Sequence, residues 1–224
     1  MYQYQPDFIS FIKASSFYSE STTEIQTSLK RAFDMAAAGV AIFLLSPVFI
    51  ITAILIKLES KGGVFFKQER VGLNGQSFTM YKFRSMRTDA EAKLAELEAN
   101  NEMENGVLFK MKSDPRITKV GKFIRKASID ELPQLFNVLF GDMSLVGPRP
   151  PLPKEVAQYT QRDFMRLAAV PGITCFWQVM GRSDIPFKQQ VELDLKYIES
   201  QSLALDIKIL LMTVPAVLTA RGAY

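Results

Sequence analysis

The longest uncharged stretch of the sequence constrains the fold most. Residues 35–56 contain no charged side chain. As one α-helix rising ~1.5 Å per residue, they would extend ~33 Å, enough to cross a hydrocarbon core of ~30 Å. A core helix of a soluble protein is seldom apolar over such a length. We therefore predict that this segment inserts into a membrane.

Two membrane topologies fit this segment. Pro47 lies just past its middle, lacks a backbone donor and collides with the carbonyl of Phe43, so we expect a kink. Lys30 and Arg31 precede the segment and Lys57 follows it. Basic residues at both ends favour a hairpin that enters and leaves by one face. A kinked helix that crosses once explains the same residues, so the residue pattern leaves both topologies open.

Composition excludes several kinds of active site. The sequence has no histidine and one cysteine, Cys175. Ser-His-Asp and Cys-His nucleophiles, His-ligated zinc and an intrachain disulfide are therefore excluded. The net charge of +4 is too small to predict nucleic-acid binding, and we expect none, although it suits a surface that faces phosphates or anionic lipid. Any chemistry must use carboxylates, hydroxyls, Lys, Arg, backbone amides or bound ions.

We predict an α+β fold that is mainly helical, in three parts. Residues 1–28 are an aromatic-rich interfacial or loosely ordered segment, 29–60 the membrane segment, and 61–224 a catalytic domain. A β-hairpin is predicted at 64–68 and 78–84, around the turn signal Leu73-Asn74-Gly75-Gln76. Helices are predicted at 88–100, 128–140, 192–199 and 203–218. The last has too short an uncharged stretch to span a membrane, so it should lie in the interface or pack on the core.

An acidic pair follows a strongly basic stretch. Residues 110–126 contain seven basic side chains and one acid, and Ser128-Ile129-Asp130-Glu131 comes next. Contact with anionic lipid explains several of the basic residues. Ser128 and Glu131 fit a capping box, and a helix start favours both carboxylates. The pair nevertheless lies beside a basic cluster, near a membrane segment and before a stiff turn, which favours a chemical role.

That stiff turn presents an arginine. In Gly147-Pro148-Arg149-Pro150-Pro151 three prolines restrict φ and hold Arg149 in a nearly preset direction. A preset guanidinium suits phosphate, because it donates two parallel hydrogen bonds. Residues 171–174 and Gly181-Arg182-Ser183 are predicted as two further turns, and the second carries Arg182.

Three runs, in this order, carry a family resemblance: Asp-Pro-Arg-Ile-Thr-Lys-Val-Gly at 114–121, Ser-Ile-Asp-Glu-Leu-Pro-Gln-Leu-Phe-Asn-Val at 128–138 and Gly-Asp-Met-Ser-Leu-Val-Gly-Pro-Arg-Pro at 141–150. They resemble the bacterial sugar transferases that are monotopic polyprenol-phosphate phosphoglycosyl transferases. The likeness runs from about Lys30 to the end of the chain. Within the family the sequence is most similar to the enzymes that initiate exopolysaccharide and O-antigen synthesis with glucose or galactose phosphate.

The resemblance implies transfer of a sugar phosphate from a UDP-sugar to undecaprenyl phosphate, with release of UMP, at the cytoplasmic face of the bacterial inner membrane. It implies that Asp130 is the nucleophile, forms a covalent phospho-sugar and binds Mg²⁺, with Glu131 as its catalytic neighbour. The residues expected to hold phosphate or substrate are Arg125, Arg149, Arg182, Lys82 and Arg84. Ser46 and Pro47 match the break in the re-entrant hairpin of the family, which favours insertion from one face.

Physical chemistry agrees with these roles. Phosphoryl transfer needs charge neutralisation and in-line positioning more than proton transfer, so it does not require histidine. A carboxylate can attack phosphorus when cations screen its approach, and Mg²⁺ favours one or two carboxylates together with substrate phosphates. Neighbouring helix residues point about 100° apart, so Asp130 and Glu131 cannot flank a sugar as a glycosidase pair does. Glycoside hydrolysis is therefore disfavoured.

The sequence departs from the family pattern at two positions, and two alternatives to the two-step transfer remain open. Cys175 and Val170 stand where the family usually has a glycine and a basic residue, which could alter sugar or nucleotide contacts. One rival is a membrane-bound scaffold in which the acidic pair only caps a helix. The other is direct one-step transfer with Asp130 as a metal ligand only. The sequence leaves open the sugar, the oligomeric state (a homo-oligomer included) and the role of residues 1–28.

Overall fold

The structure is a computed structural model that describes residues 24–90, 92–93 and 114–219. Most of the predicted segment 1–28 and most of the predicted acidic helix 88–100 lie outside these residues. Residues 88–90 form a turn rather than the start of a helix. The described residues form a mainly helical α+β fold, as predicted.

Helix α1 contains the apolar segment. It spans Glu24–Glu59, 36 residues, with Pro47 inside it. It is the one helix among the described residues long and apolar enough to cross a membrane. Pro47 cannot donate to the carbonyl of Phe43, and the Ser46 hydroxyl donates to that oxygen instead, at 2.8 Å. Ser46 therefore compensates for the missing amide, and the helix continues through the proline.

Both halves of α1 pack on one short helix, α3, which spans Gln134–Phe140. The Arg31 guanidinium donates to the carbonyls of Val138 and Leu139 near the end of α3, while the Phe49 ring lies 5.8 Å from that of Phe136. A straight helix would separate Arg31 and Phe49 by ~27 Å, whereas α3 is only about 10 Å long. These contacts favour a bend in α1 between the two residues.

The predicted hairpin of two separate membrane helices over 29–60 is not confirmed, because α1 is continuous across Ser46 and Pro47. Insertion from one face stays a prediction. The far end of α1 is bonded to the rest of the fold, because the Glu59 carboxylate accepts hydrogen bonds from the backbone amides of Lys119 and Val120. Glu59 thereby caps helix α2, which spans Lys119–Lys126.

The predicted β-hairpin is confirmed. Strand β1, Phe65–Val71, pairs antiparallel with β2, Ser77–Phe83, with Phe65 opposite Phe83. Asn74 has φ 54° and Gly75 has φ 80°. Both residue types tolerate a left-handed conformation, which is why this dipeptide reverses the chain here. The hairpin places Lys82 near the end of β2.

The predicted α-helix over 128–140 is divided in two, and the predicted capping box is wrong. A 3-10 turn, Ile129–Glu131, precedes α3. Pro133 has no amide hydrogen for the carbonyl of Ile129, which instead accepts from Leu132 at 3.1 Å. Ser128 is left-handed, with φ 54°, and its side chain caps nothing. Glu131 is therefore free to point away from Ser128.

A second small sheet was not predicted. Strand β3, Ser144–Val146, pairs in parallel with β4, Gly172–Thr174. The interpretation of residues 171–174 as a turn is thus wrong, because three of them form a strand. The two backbones approach closely: a Cβ on Gly172 would lie 2.0 Å from the Gly147 nitrogen. This pairing holds the start of the Pro148-Arg149-Pro150 loop against β4.

Five further α-helices lie in the described part of the predicted domain over 61–224. They are α4 (Pro153–Val156), α5 (Gln161–Phe164), α6 (Phe176–Met180), α7 (Phe187–Ser200) and α8 (Leu203–Thr219). The predicted helices over 192–199 and 203–218 are confirmed, and α7 begins five residues earlier than predicted. Helix α8 has an exposed apolar stripe, Leu203, Ile207, Leu211, Val214 and Leu218, while its buried Ile209 packs in the core beside α1.

A buried ionic cluster joins α1 to α7, α8 and β3. The Lys30 ammonium contacts Asp206 at 2.5 Å and lies 3.6 Å from Asp34. Asp34 accepts from the Ser144 hydroxyl, and Asp206 accepts from Tyr197. Buried charges require partners of this kind. The first half of α1 is therefore bonded into the domain through charged groups as well as apolar packing.

Candidate active site

A small cavity, with about 230 Å³ of empty space that includes open solvent, lies where β1, β2, the 3-10 turn and the loop after β3 meet. Its walls combine cations, one carboxylate, amides and backbone from β4. The lining residues are Arg70, Met80, Lys82, Glu131, Gln134, Arg149, Pro150, Gly172, Ile173 and Gln178. Lys82, Glu131 and Arg149 were predicted site residues, and the structure brings them together.

Glu131 is held by a strand residue. Its carboxylate accepts from the Lys82 ammonium at 2.9 Å. Burial acts to raise its pKa, but the charge and hydrogen bond of Lys82, together with Arg149 and Arg182, outweigh burial, and the pKa of Glu131 lies below its ordinary value. Glu131 therefore stays ionised at neutral pH.

Asp130 has a different environment. It is 8% exposed, and among the described residues no cation lies within ion-pair distance of its carboxylate. Burial raises the pKa of Asp130 to about 6; Lys82 and Arg125 oppose the rise and Glu131 adds to it. At neutral pH Asp130 is an ionised carboxylate that the fold stabilises poorly. Such a group is more basic than a surface aspartate and more reactive toward an electrophile.

Three further predicted cations surround this pair to different degrees. Arg149 lines the cavity, directly after the β3–β4 contact. Arg182 has φ 51°, and its Nη2 lies 3.5 Å from the Ser128 hydroxyl, which brings its charge toward Glu131. Arg125 lies in the last turn of α2, close enough to lower the pKa of Asp130.

Arg84 is placed elsewhere. Its guanidinium donates to the carbonyls of Ser60 and Lys61 and to the Ser60 hydroxyl, at 2.7–2.9 Å. It therefore closes the end of α1 and is not among the cavity-lining residues. Its predicted role in binding substrate gains no support from this position. Repeated donation to carbonyls at a helix end is a structural use of arginine.

Three polar side chains that line the cavity, Arg70, Gln134 and Gln178, were not predicted from the sequence. Arg70 lies in the charged run Lys67-Gln68-Glu69-Arg70, where only Arg70 is buried. Nothing in that run distinguishes it, because the burial comes from the Pro150 loop, which is distant in sequence. Gln134 was a helix residue of no assigned role, and Gln178 faces the cavity from α6.

Of the two departures from the family pattern, Cys175 contacts the cavity-lining residue Gln178 and Val170 lies against Gly147. Cys175 is fully buried, and its thiol donates to Gln178 Oε1 at 3.1 Å. Burial raises the pKa of Cys175 well above its usual value, so the thiol is not ionised. The carbonyl of Val170 faces Gly147, so its contact there uses backbone rather than side chain.

The acidic pair has the donor set that Mg²⁺ accepts. Magnesium is usually bound by one or two carboxylates plus phosphate oxygens and water. Asp130 supplies a carboxylate without an ion-pair partner among the described residues, and Glu131 adjoins it. The described residues hold no cluster of three or more acidic or cysteine side chains. They therefore fit an ion that is shared with substrate phosphate, not a closed protein cage.

Comparisons with known proteins agree with this arrangement. A family model described as bacterial sugar transferase matches residues 25–220. The exopolysaccharide production protein ExoY of Rhizobium meliloti is 41% identical over 198 residues, covering 87% of this chain and 88% of that protein. The galactosyl transferase CpsE of Streptococcus agalactiae serotype III is 48% identical over 195 residues, which are 87% of this chain and 43% of CpsE.

A third relative is the undecaprenyl-phosphate galactose phosphotransferase of Salmonella typhimurium. It is 44% identical over 200 residues, covering 88% of this chain and 42% of that protein. The chain thus spans less than half of CpsE and of the Salmonella protein, but most of ExoY. The family match includes α1, the acidic pair and the Arg149 loop. The chain belongs to the bacterial sugar transferase family.

Proposed function

We propose that the protein transfers a hexose phosphate from a UDP-sugar to undecaprenyl phosphate and releases UMP. The observation that carries the proposal is the buried carboxylate of Asp130, which has no ion-pair partner among the described residues and directly precedes Glu131, a lining residue of the cavity that Arg70, Lys82 and Arg149 also line. A nucleophile next to a cationic pocket suits attack on a phosphate that already bears negative charge. UDP-glucose and UDP-galactose are the proposed donors.

The proposed reaction has two displacements. A carboxylate oxygen of Asp130 attacks the phosphorus bonded to the sugar, and the bond from that phosphorus to UMP breaks. An oxygen of undecaprenyl phosphate then attacks the same phosphorus and breaks the bond to Asp130, which returns as a carboxylate. The cavity cations offset the charge of the leaving UMP. Covalent catalysis lets a water-soluble donor and a lipid acceptor use one small site in turn.

The neighbouring side chains have separate proposed roles. Glu131 is held ionised by Lys82 at 2.9 Å, so it remains a fixed negative group beside Asp130. Asp130, with Glu131, would hold Mg²⁺, which supplies charge neutralisation on the phosphates when bound. Arg149, Arg182 and Arg125 are proposed to bind phosphate oxygens around the pair.

The position of α1 supports a lipid as the acceptor. Its exposed apolar side chains include Phe43 and Leu44 beside the Ser46-Pro47 pair, and both halves of the helix contact the domain that carries the cavity. We propose that α1 lies in the inner membrane with the cavity at its cytoplasmic face. A polyprenol chain could then reach the cavity without leaving lipid. The product would start exopolysaccharide, capsule or O-antigen synthesis.

Trapping the covalent intermediate tests this mechanism. The full-length protein, incubated with Mg²⁺ and UDP-sugar labelled in the sugar, without acceptor, should retain label on Asp130 by peptide mapping. Screening several UDP-sugars for UMP release with undecaprenyl phosphate identifies the donor. Label on Glu131 would reverse the two roles. No label, with kinetics that require both substrates bound together, would establish one-step transfer.

The Asp130→Asn variant separates an enzyme from a scaffold. Asparagine keeps the size and much of the hydrogen bonding of the side chain but cannot attack phosphorus. We expect UMP release to fall at least 10³-fold, the scale on which removal of a nucleophile acts. A matched control is Asp163→Asn, which changes an exposed capping carboxylate on α5. Normal turnover in Asp130→Asn would rule out the proposed nucleophile.

A further inference from the structure

Cationic side chains outnumber acidic ones among the described residues that line the cavity. Arg70, Lys82 and Arg149 line it, and Glu131 is the one acidic lining residue in the part of the chain that the structure describes. Lys82 and Glu131 pair with each other. Among the described residues, Arg70 and Arg149 have no carboxylate within ion-pair distance. Two guanidiniums thus face one small cavity, and neither forms an ion pair with a carboxylate of the described residues.

Arg70 is the more unusual of the two, because it is 5% exposed. Its hydrogen bonds go to neutral acceptors: Nε and Nη2 donate to Gln68 Oε1, and Nη1 donates to the carbonyl of Pro150. A guanidinium has five N–H donors, so two of them have no acceptor among the described residues. Burying a cation without a counter-charge is costly unless a ligand supplies the missing charge.

The two guanidiniums are held on connected backbone. Arg70 lies next to the end of β1, and its side chain bonds the residue directly after Arg149. The Val71 amide also donates to the carbonyl of Pro151 at 2.9 Å. These bonds fix the Arg149 loop to β1. Rigid, planar donors with unused N–H groups match phosphate oxygens without reorganisation.

We infer that Arg70 and Arg149 form a two-arginine clamp for the diphosphate of the nucleotide-sugar donor. The inference rests on the proposed function and adds Arg70 as a substrate-binding residue. The shared chemistry is a phosphate anion, which undecaprenyl phosphate could also supply. Two guanidiniums on one wall match two linked phosphoryl groups better than a single one, so the clamp is assigned to the water-soluble donor.

The test uses Arg70→Lys in the full-length protein in detergent. Lysine keeps the charge but cannot bond Gln68, Pro150 and an anion together. Calorimetric titration with inorganic pyrophosphate should show Kd raised about tenfold. The KM for UDP-sugar should rise by a similar factor, and the KM for undecaprenyl phosphate should stay within twofold. The matched control, Arg162→Lys, changes an exposed arginine paired with Glu192 and should leave all three values unchanged.

A second variant keeps the inference testable if Arg70→Lys does not fold. Gln68→Glu retains the shape of the side chain that contacts Arg70 and places a carboxylate against the guanidinium. The new charge should compete with the ligand and weaken pyrophosphate binding about tenfold. Unchanged pyrophosphate affinity in either folded variant would overturn the clamp, as would a rise confined to the KM for undecaprenyl phosphate.

The two proposals can fail separately. Pyrophosphate binding that depends on Arg70, in a protein that turns over no UDP-sugar, would retain the clamp and reject the transferase reaction. Transfer by a wild-type protein that does not bind pyrophosphate would retain the reaction and reject the clamp.

Discussion

At the scale of single residues, the acidic pair shows how strongly the local environment can make the pKa values of two adjacent carboxylates differ. Glu131 meets Lys82, while Asp130 is buried without such a partner among the described residues. Their pKa values shift in opposite directions for that reason. Opposed shifts in neighbouring titratable groups are typical of sites that assign them different chemical roles. The following two predictions rest on this difference.

The first prediction concerns pH. In the proposed reaction only the ionised form of Asp130 attacks phosphorus, and the pKa of Asp130 is raised to about 6, whereas that of Glu131 is lowered. The kcat/KM for UDP-sugar should therefore fall about tenfold per pH unit below about pH 6 and level off above it. Because the carboxylates interact, the fitted value belongs to the pair. A limb centred near pH 4 that does not move when the Mg²⁺ concentration is changed would show that Asp130 is not the titrating nucleophile, because bound Mg²⁺ would itself lower the pKa of this carboxyl.

The second prediction concerns stability. The folded protein raises the pKa of Asp130 from 3.8 to about 6, so the folded state binds this proton more tightly than the unfolded chain does. Stability is then lost as pH rises from about 4 to 6, and the loss persists at higher pH. Asp130→Asn removes the charge and should stabilise the fold at pH 7.5 by on the order of 1–3 kcal/mol. Thermal unfolding at pH 7.5 and pH 4 measures this: the gain should shrink at pH 4. A gain independent of pH would contradict the charge explanation.

At the scale of elements, the parallel β3–β4 pair positions the cavity. Gly147 and Gly172 let the two backbones approach, and a Cβ on Gly172 would lie 2.0 Å from the Gly147 nitrogen. We predict that Gly172→Ala lowers the free energy of unfolding by about 1–3 kcal/mol, because the backbone of β3 or β4 must move to make room for the Cβ. The same movement should displace the Arg149 loop and reduce turnover. Chemical denaturation and UMP release measure the two effects.

The matched control for Gly172→Ala is Gly39→Ala in α1. A Cβ there has nothing within 4 Å, and alanine is the better helix former by about 1 kcal/mol. Its stability should be unchanged or higher. Equal effects of the two substitutions would contradict the close-packing argument for β3 and β4.

Elements with local signals could be predicted, and elements made by distant contacts could not. The Asn74-Gly75 turn and the apolar patterns of α7 and α8 depend on residues that are close together in the sequence. Strand β4 has three residues and is defined by pairing with β3, which is distant in sequence. The capping-box prediction failed because it considered Ser128 and Glu131 without Pro133. Site residues in recognisable motifs were found, but Arg70 is buried by a loop some eighty residues away.

At the scale of the whole molecule, both ends of α1 contact the same domain. Arg31 bonds the end of α3, and Glu59 caps α2. We predict that both ends lie on the cytoplasmic side. Single cysteines introduced at Ser28 and Ser60 should both be protected from membrane-impermeant thiol reagents in intact cells. Cys175 is buried and should not contribute signal. Labelling of Ser28 alone would establish a helix that spans the bilayer.

The two end contacts of α1 have a consequence for how such a protein can be altered. Arg31 satisfies carbonyls at the end of one catalytic helix, Glu59 satisfies amides at the start of another, and Ala38 is fully buried in the largest core cluster. Helix α1 therefore contributes to the stability of the domain that carries the cavity, and an unrelated membrane helix could not replace it without loss. Grafting a foreign anchor, or trimming the segment to obtain a soluble enzyme, would leave helix ends and an apolar surface without partners.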